Sequence, residues 1–119
     1  MRIATETATL TRATWHQACA LDDIAPWTGV AALFGSRQIA LIRWGEGEQV
    51  HALANFDPFS KAMVISRGIV GDLAGAPVIA SPVHKQHFRL ADGLCVEDPT
   101  VRLTSYPVRV VEGRVEVEL

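Results

Sequence analysis

A chain of 119 residues with 49% hydrophobic and 20% charged side chains is sized for one globular domain with its own core. Its net charge of −2 lacks the basic excess of a nucleic-acid binder, and no apolar run approaches the roughly 20 residues that span a bilayer. Met1-Arg2-Ile3-Ala4-Thr5-Glu6 lacks the apolar core of a signal peptide, so the expected compartment is the cytoplasm. In that compartment Cys19 and Cys95 are expected as free thiols, small core or half-buried residues rather than a disulfide.

Residues 1–11 carry Thr5, Thr7, Thr9 and Thr11 at alternate positions; as a chain terminus they read as a tail rather than a weak edge strand. From Thr14 the alternation of Trp15, Gln17 and Cys19 with His16 and Ala18 predicts a strand. Asp22-Asp23 and Pro26 stop it, with a short helical turn near residues 21–24. Gly29 opens a second strand over residues 30–34, and Gly35-Ser36-Arg37 reads as a hairpin loop into a third over 38–44. The turn Gly45-Glu46-Gly47-Glu48 leads to a fourth strand over 49–54.

Asn55-Phe56-Asp57-Pro58 then breaks the pattern, because Pro58 has no N–H to give a sheet ladder. Residues 61–72 are less regular, with Gly68 and Gly71 bracketing Ile69-Val70. Residues 77–80 form a short buried strand, and 87–90 another, ended by Asp92-Gly93; 94–96 and 102–103 are marginal. The clearest hairpin closes the chain: residues 108–111, the turn Glu112-Gly113, then 114–119. Short strands, frequent turns and no long amphipathic helix predict an all-β protein, an antiparallel sandwich or barrel.

Two loop sequences carry more specific information. One is Asn55-Phe56-Asp57-Pro58-Phe59; the other is Ala80-Ser81-Pro82-Val83-His84-Lys85, followed by His87-Phe88-Arg89-Leu90-Ala91-Asp92-Gly93. Together they resemble the two cluster-binding loops of a Rieske [2Fe–2S] domain, Cys-x-His and Cys-Pro-x-His, the second with a Phe-x-Leu-x-x-Gly tail. Pro82, Phe88, Leu90 and Gly93 keep that framework. Asp57 stands at the first Cys, Phe59 at its His and Ser81 at the second Cys, so His84 alone keeps a ligand type. With Ser66-Arg67-Gly68 and Asp92-Gly93-Leu94-Cys95, this combination resembles the small subunits of NAD(P)H-dependent nitrite reductases, Rieske-like proteins without a cluster.

The resemblance covers about residues 14–117. It implies a Rieske-type fold in which residues 12–54 and 94–119 form an antiparallel base and residues 55–93 a loop-bearing insert. It further implies a large partner subunit holding FAD, a [4Fe–4S] cluster and sirohaem, which reduces nitrite to ammonium. The small subunit, without cofactor of its own, supports its assembly or activity. A Rieske-type ferredoxin carrying electrons and a stand-alone binding module are the alternatives.

The residue chemistry supports the loss of the cluster. A Rieske centre needs two thiolates on one iron and two imidazoles on the other. Phe59 has no lone pair, the Ser81 hydroxyl stays protonated near neutral pH, and Asp57 is a hard oxygen donor. His84 and His87 form a His-x-x-His pair with no third ligand at a recognisable spacing, so no metal site is expected. Ser81 before Pro82 is not a nucleophile elbow. No glycine-rich phosphate loop exists, so the chain itself is not expected to bind NAD(P)H or FAD.

The insert also gathers cationic groups: Lys61, Arg67, Lys85 and Arg89, with His84 and His87 near them. They read either as a solvated rim or as a face that docks on a larger protein, with Phe56, Phe59 and Met63 as apolar anchors or as insert core. With the cluster gone, Phe59 is expected to turn inward. Asp57 is expected to accept backbone N–H bonds in an Asx-type turn or to pair with Lys85 or His84. Ser81 is expected to hydrogen-bond backbone.

Overall fold

The structure is a computed structural model and describes residues 14–119; the tail with its alternating threonines lies outside the described residues. The chain opens with β1 (Trp15–Ala20) and a 3-10 turn at Leu21–Asp23, then β2 (Gly29–Phe34), β3 (Arg37–Arg43) and β4 (Val50–Ala54). A two-residue ribbon follows, β5 (Phe56–Asp57) with β6 (Ala62–Met63), then a second 3-10 turn at Ile65–Arg67. Next come β7 (Ile69–Leu73), β8 (Ala76–Ala80) and β9 (His87–Arg89). The chain ends with β10 (Ser105–Tyr106), β11 (Val108–Val111) and β12 (Arg114–Glu118).

Two antiparallel sheets form the base, ordered β10-β4-β3-β2 and β11-β12-β1. The loops are carried by a third sheet, β9-β8-β7, and by the β5-β6 ribbon. The all-β expectation holds, and the element that joins the layers is β3. Its apolar run is buried on both faces, as a central strand requires. Ile39 and Leu41 enter one core with Leu21, Ile24, Val115 and Val117. Ala40 and Ile42 enter a second with Leu53, Ile65, Ile79, Phe88, Leu90 and Cys95. The first core closes the base sandwich; the second seats the loop-bearing sheet on it.

The ends of β3 are fixed by polar contacts. Arg43 is nearly buried, and its guanidinium donates to the carbonyls of Ile24 (2.8 Å), Gly47 (3.0 Å) and Glu46 (2.9 Å). Three carbonyl acceptors thus satisfy a buried cation and hold the turn after β3.

Several elements differ from expectation for identifiable reasons. Residues 61–72, which looked irregular, contain the 3-10 turn and most of β7. The β7–β8 hairpin turns on Ala74 and Gly75, at φ 52° and 87°. That is the twist of the Glu112-Gly113 turn (φ 50° and 76°), but alanine is an unusual first residue for it. The marginal segments 94–96 and 102–103 survive only as the isolated bridges Phe88↔Cys95 and Leu94↔Arg102. β10 was not expected at all; it is two residues long and pairs with Leu53 and Ala52.

Backbone approaches backbone closely where the 3-10 turn meets β8. A β-carbon on Gly68 would lie 2.3 Å from the Ala80 carbonyl oxygen and 2.8 Å from the Ile79 side chain. Since Ala80 leads into Ser81, this contact sets the height of the second loop. Gly68→Ala is therefore expected to cost about 1–3 kcal/mol by overpacking, measured by equilibrium urea unfolding. Gly71→Ala, where nothing lies within 4 Å of the added carbon, is the control and should be near neutral.

Candidate functional site

The two loops share one construction. Residues 57–61 and 81–85 both read x-Pro-x-x-Lys, as Asp57-Pro58-Phe59-Ser60-Lys61 and Ser81-Pro82-Val83-His84-Lys85. Each is closed by its lysine, whose N–H donates to the carbonyl of the first residue, Lys61 to Asp57 at 2.7 Å and Lys85 to Ser81 at 3.1 Å. Both lysines sit in the left-handed region, at φ 59° and 63°. In each loop the first side chain also accepts the N–H of the third residue. Phe59 donates to Asp57 Oδ1 at 2.9 Å, and Val83 donates to Ser81 Oγ at 3.3 Å.

The two first residues then bond to each other. The Ser81 hydroxyl donates to Asp57 Oδ2 at 2.5 Å, and both residues are buried. Oδ1 of Asp57 also receives a longer contact from the Ser60 N–H at 3.5 Å. Burial pushes the Asp57 carboxyl up, but the Ser81 hydroxyl and the Phe59 and Ser60 groups more than offset it. The carboxyl lies below its ordinary value. Asp57 is thus a buried carboxylate whose two oxygens are both satisfied, as a charge without exposure must be.

Asp57 does make the Asx-type contact to backbone, but its side-chain partner is Ser81. Lys85 and His84 are both exposed. Ser81 accepts a backbone N–H as expected and spends its proton on Asp57. Phe59 turns inward only in part: it is half-buried, packs against the second core, and lies 6.2 Å from the Phe88 ring between centroids.

Beneath the first loop lies a residue that sequence reasoning treated only as a pattern breaker. Asn55 is buried and uses all its hydrogen-bonding groups. Its N–H donates to the Gln38 carbonyl and its side-chain amide to Gln38 Oε1, both at 3.1 Å. Its own carbonyl accepts the Ile65 N–H at 3.1 Å, and Oδ1 accepts the Ser66 N–H at 2.8 Å. Asn55 so ties β3 to the 3-10 turn from which the loop sheet departs. The available signal was an amide side chain placed directly after an apolar strand.

The cationic groups divide in two. Arg89 is ion-paired to Asp92 three residues on. His87 Nδ1 lies 2.5 Å from Glu97 Oε2, and the His87 N–H donates to Glu97 Oε1 at 2.7 Å. Lys61, Arg67 and Lys85 are exposed and have no acidic partner among the described residues. Phe56 is exposed beside Met63, its cross-strand partner in the β5-β6 ribbon.

Such loops do not fit an iron–sulfur cluster. The four positions present a carboxylate, a phenyl ring, a hydroxyl and one imidazole. The two that would supply thiolates are joined by a direct hydrogen bond across the space the cluster would need. Cys19 and Cys95 are free thiols whose pKa values are pushed up, chiefly by burial, so neither is a thiolate at neutral pH. Among the described residues no group of three or more His, Cys, Asp or Glu is placed to hold a metal ion.

A two-sheet base carrying a third sheet with paired proline loops defines a Rieske-like [2Fe–2S] domain, and the family model of that description matches residues 14–118. A nitrite reductase (NADH) small subunit of Salmonella typhimurium is 46% identical over 103 residues, which are 87% of this chain and 95% of that one. The crystal structure of an NADH-dependent nitrite reductase small subunit from Mycobacterium tuberculosis superposes with a TM-score of 0.86 at 47% identity. That superposition covers 92% of this chain and 97% of the other. The chain belongs to the nitrite reductase small-subunit family. A Klebsiella oxytoca nitrite reductase [NAD(P)H] large subunit also contains a matching stretch, 44% identical over 87% of this chain and 11% of its own length.

Because Asp57 is depressed in the folded state, its contribution to stability is complete above the ordinary aspartate value of 3.8 and is lost as pH falls through the lower folded value. Asp92, held low chiefly by Arg89, adds to the same acid limb. The difference between wild type and Asp57→Asn in urea unfolding at several pH values isolates Asp57: the gap should be widest near neutrality and shrink below pH 3.8. At pH 7, Asp57→Ala should cost about 1–3 kcal/mol by stranding the Ser81 hydroxyl and two amides. Half-buried Phe59→Ala should cost less than the about 3–5 kcal/mol of a fully buried phenylalanine.

Proposed function

We propose that this chain is the small, non-catalytic subunit of a cytoplasmic NAD(P)H-dependent nitrite reductase and acts by binding the large catalytic subunit. The observation that carries the reading is the closed Asp57–Ser81 contact, where a Rieske electron carrier would hold its cluster. A chain that keeps the fold but not the redox centre acts through its surface. Nor does the contact form a hydrolytic site, because the Ser81 proton is engaged by a depressed carboxylate and no imidazole is bonded to either group.

The partner is supported by the Klebsiella oxytoca large subunit, in which a stretch like this chain is fused to the rest of the enzyme. Fusion in one protein and separate chains in another are two ways of keeping the same contact. The family resemblance supplies the partner's chemistry: FAD, a [4Fe–4S] cluster and sirohaem, with nitrite reduced to ammonium. No helix among the described residues is long and apolar enough to cross a membrane.

Co-expression of this chain with the large subunit from the same organism tests the proposal. The two should co-purify, and nitrite-dependent NAD(P)H oxidation should be higher for the pair than for the large subunit alone. This chain purified alone should be colourless, with no stoichiometric iron and no change in melting with EDTA. Visible absorption with two irons per chain would make it a ferredoxin instead; a fully active large subunit that ignores it would make it a free-standing module.

A further inference from the structure

We infer that the tip formed by the two x-Pro-x-x-Lys loops and the β5-β6 ribbon is the surface that docks on the large subunit. The surface it fits there is an apolar hollow rimmed by carboxylates. This inference rests on the small-subunit reading and adds to it a location and a partner chemistry.

Three observations carry it. First, the tip groups exposed apolar side chains: Phe56 is 41% exposed, its cross-strand partner Met63 46%, and Val83 48%. The Ser81–Asp57 bond brings the loop bearing Val83 beside the ribbon bearing Phe56 and Met63. Second, the exposed charge around them has one sign. Lys61, Arg67 and Lys85 have no acidic partner among the described residues. The carboxylate of Asp57 is buried in the clasp, and Asp72 lies towards the far end of β7, accepting the Gly75 N–H. Outside residues 55–93, acidic side chains outnumber Lys and Arg, so this positive face is local to the tip. The two remaining cationic candidates, His87 and Arg89, are spent on Glu97 and Asp92 and are not part of it.

Third, the tip is held by hydrogen bonds within and between its loops. Each loop is closed by its own backbone bond, the two are clasped to each other, and Asn55 anchors the first to β3. Both loops place a lysine at positive φ, where glycine would be unstrained. A surface ordered before the partner arrives loses little entropy on binding. Exposed apolar side chains on the same segment as unpaired cations match the anatomy of a polar-rimmed interface whose partner is acidic.

The test uses the full chain and the holo large subunit, with affinity and rates read by biolayer interferometry across a salt series. Lys61→Glu with Lys85→Glu should weaken binding ~10-fold or more, mainly through slower association, and flatten its salt dependence. Phe56→Ala should instead speed dissociation. Arg102→Glu with Arg114→Glu changes net charge equally on the base and should leave binding near wild type. Lys61→Gln with Lys85→Gln covers the case in which charge reversal impairs folding and should give a smaller loss in the same direction. If wild type binds but the tip variants do too, or if base and tip reversals weaken binding alike, the docking face is elsewhere and the small-subunit reading stands. If wild type does not bind the large subunit at all, the small-subunit reading falls, and this inference with it.

Discussion

The Ser81–Asp57 hydrogen bond is the contact on which the upper half of the molecule depends. It is the one side-chain link between two loops 24 residues apart, and it is buried. In a Rieske centre the same two positions would be linked through iron and sulfide. Here an ionised carboxylate and a hydroxyl do it directly. Such a substitution works because a carboxylate resembles a thiolate in one respect: both are anionic acceptors. The Phe59 amide and the neighbouring Ser60 amide turn towards Asp57 as they would towards any anion at that place in the loop. A neutral apolar residue at position 57 would leave the donors without a partner, and a cation would repel them. A charge-assisted hydrogen bond contributes about 1.5–3 kcal/mol net, too little to hold two loops unaided. Half-buried Phe59 on Phe88 and the four bonds of Asn55 supply the rest.

The likeness of the two loops explains how the fold stands without a redox centre. Each loop is closed by main-chain bonds from lysine to the first residue. Neither closure needs the first side chain to be a ligand. The main-chain closures leave the side chains at positions 57 and 81 free to vary. What those side chains decide is whether the loops meet through a metal cluster or through each other.

Much of this was legible in the sequence, and the exceptions share a cause. Gly35-Ser36 and Glu112-Gly113 announced their hairpins because turn chemistry is local. The apolar run Ile39 to Ile42 announced a strand, while its burial on both faces emerged only from the fold. Both loops could be placed from their prolines and from Phe88, Leu90 and Gly93. By contrast, the partner of Asp57 lies 24 residues on in sequence, and nothing around position 57 distinguishes Ser81 from Lys85 or His84. Pairing His87 with Glu97 and Arg89 with Asp92 removed two cations from a cluster that looked uniform in sequence. The Ala74-Gly75 turn was missed because alanine at φ 52° is tolerated by the flanking ladder rather than favoured by itself. Asn55 was read as a stop signal when it is a junction.

β3 has a consequence for how the molecule comes apart. Its two faces belong to different cores, so losing this one strand would expose both. The strand beneath the loop-bearing sheet is a wall shared by two rooms. Amide protons along Ile39, Ala40, Leu41 and Ile42, in a strand paired on both sides, are expected among the slowest of the chain to exchange. The loop tip stands on the second core, and through it on the central strand of the main sheet.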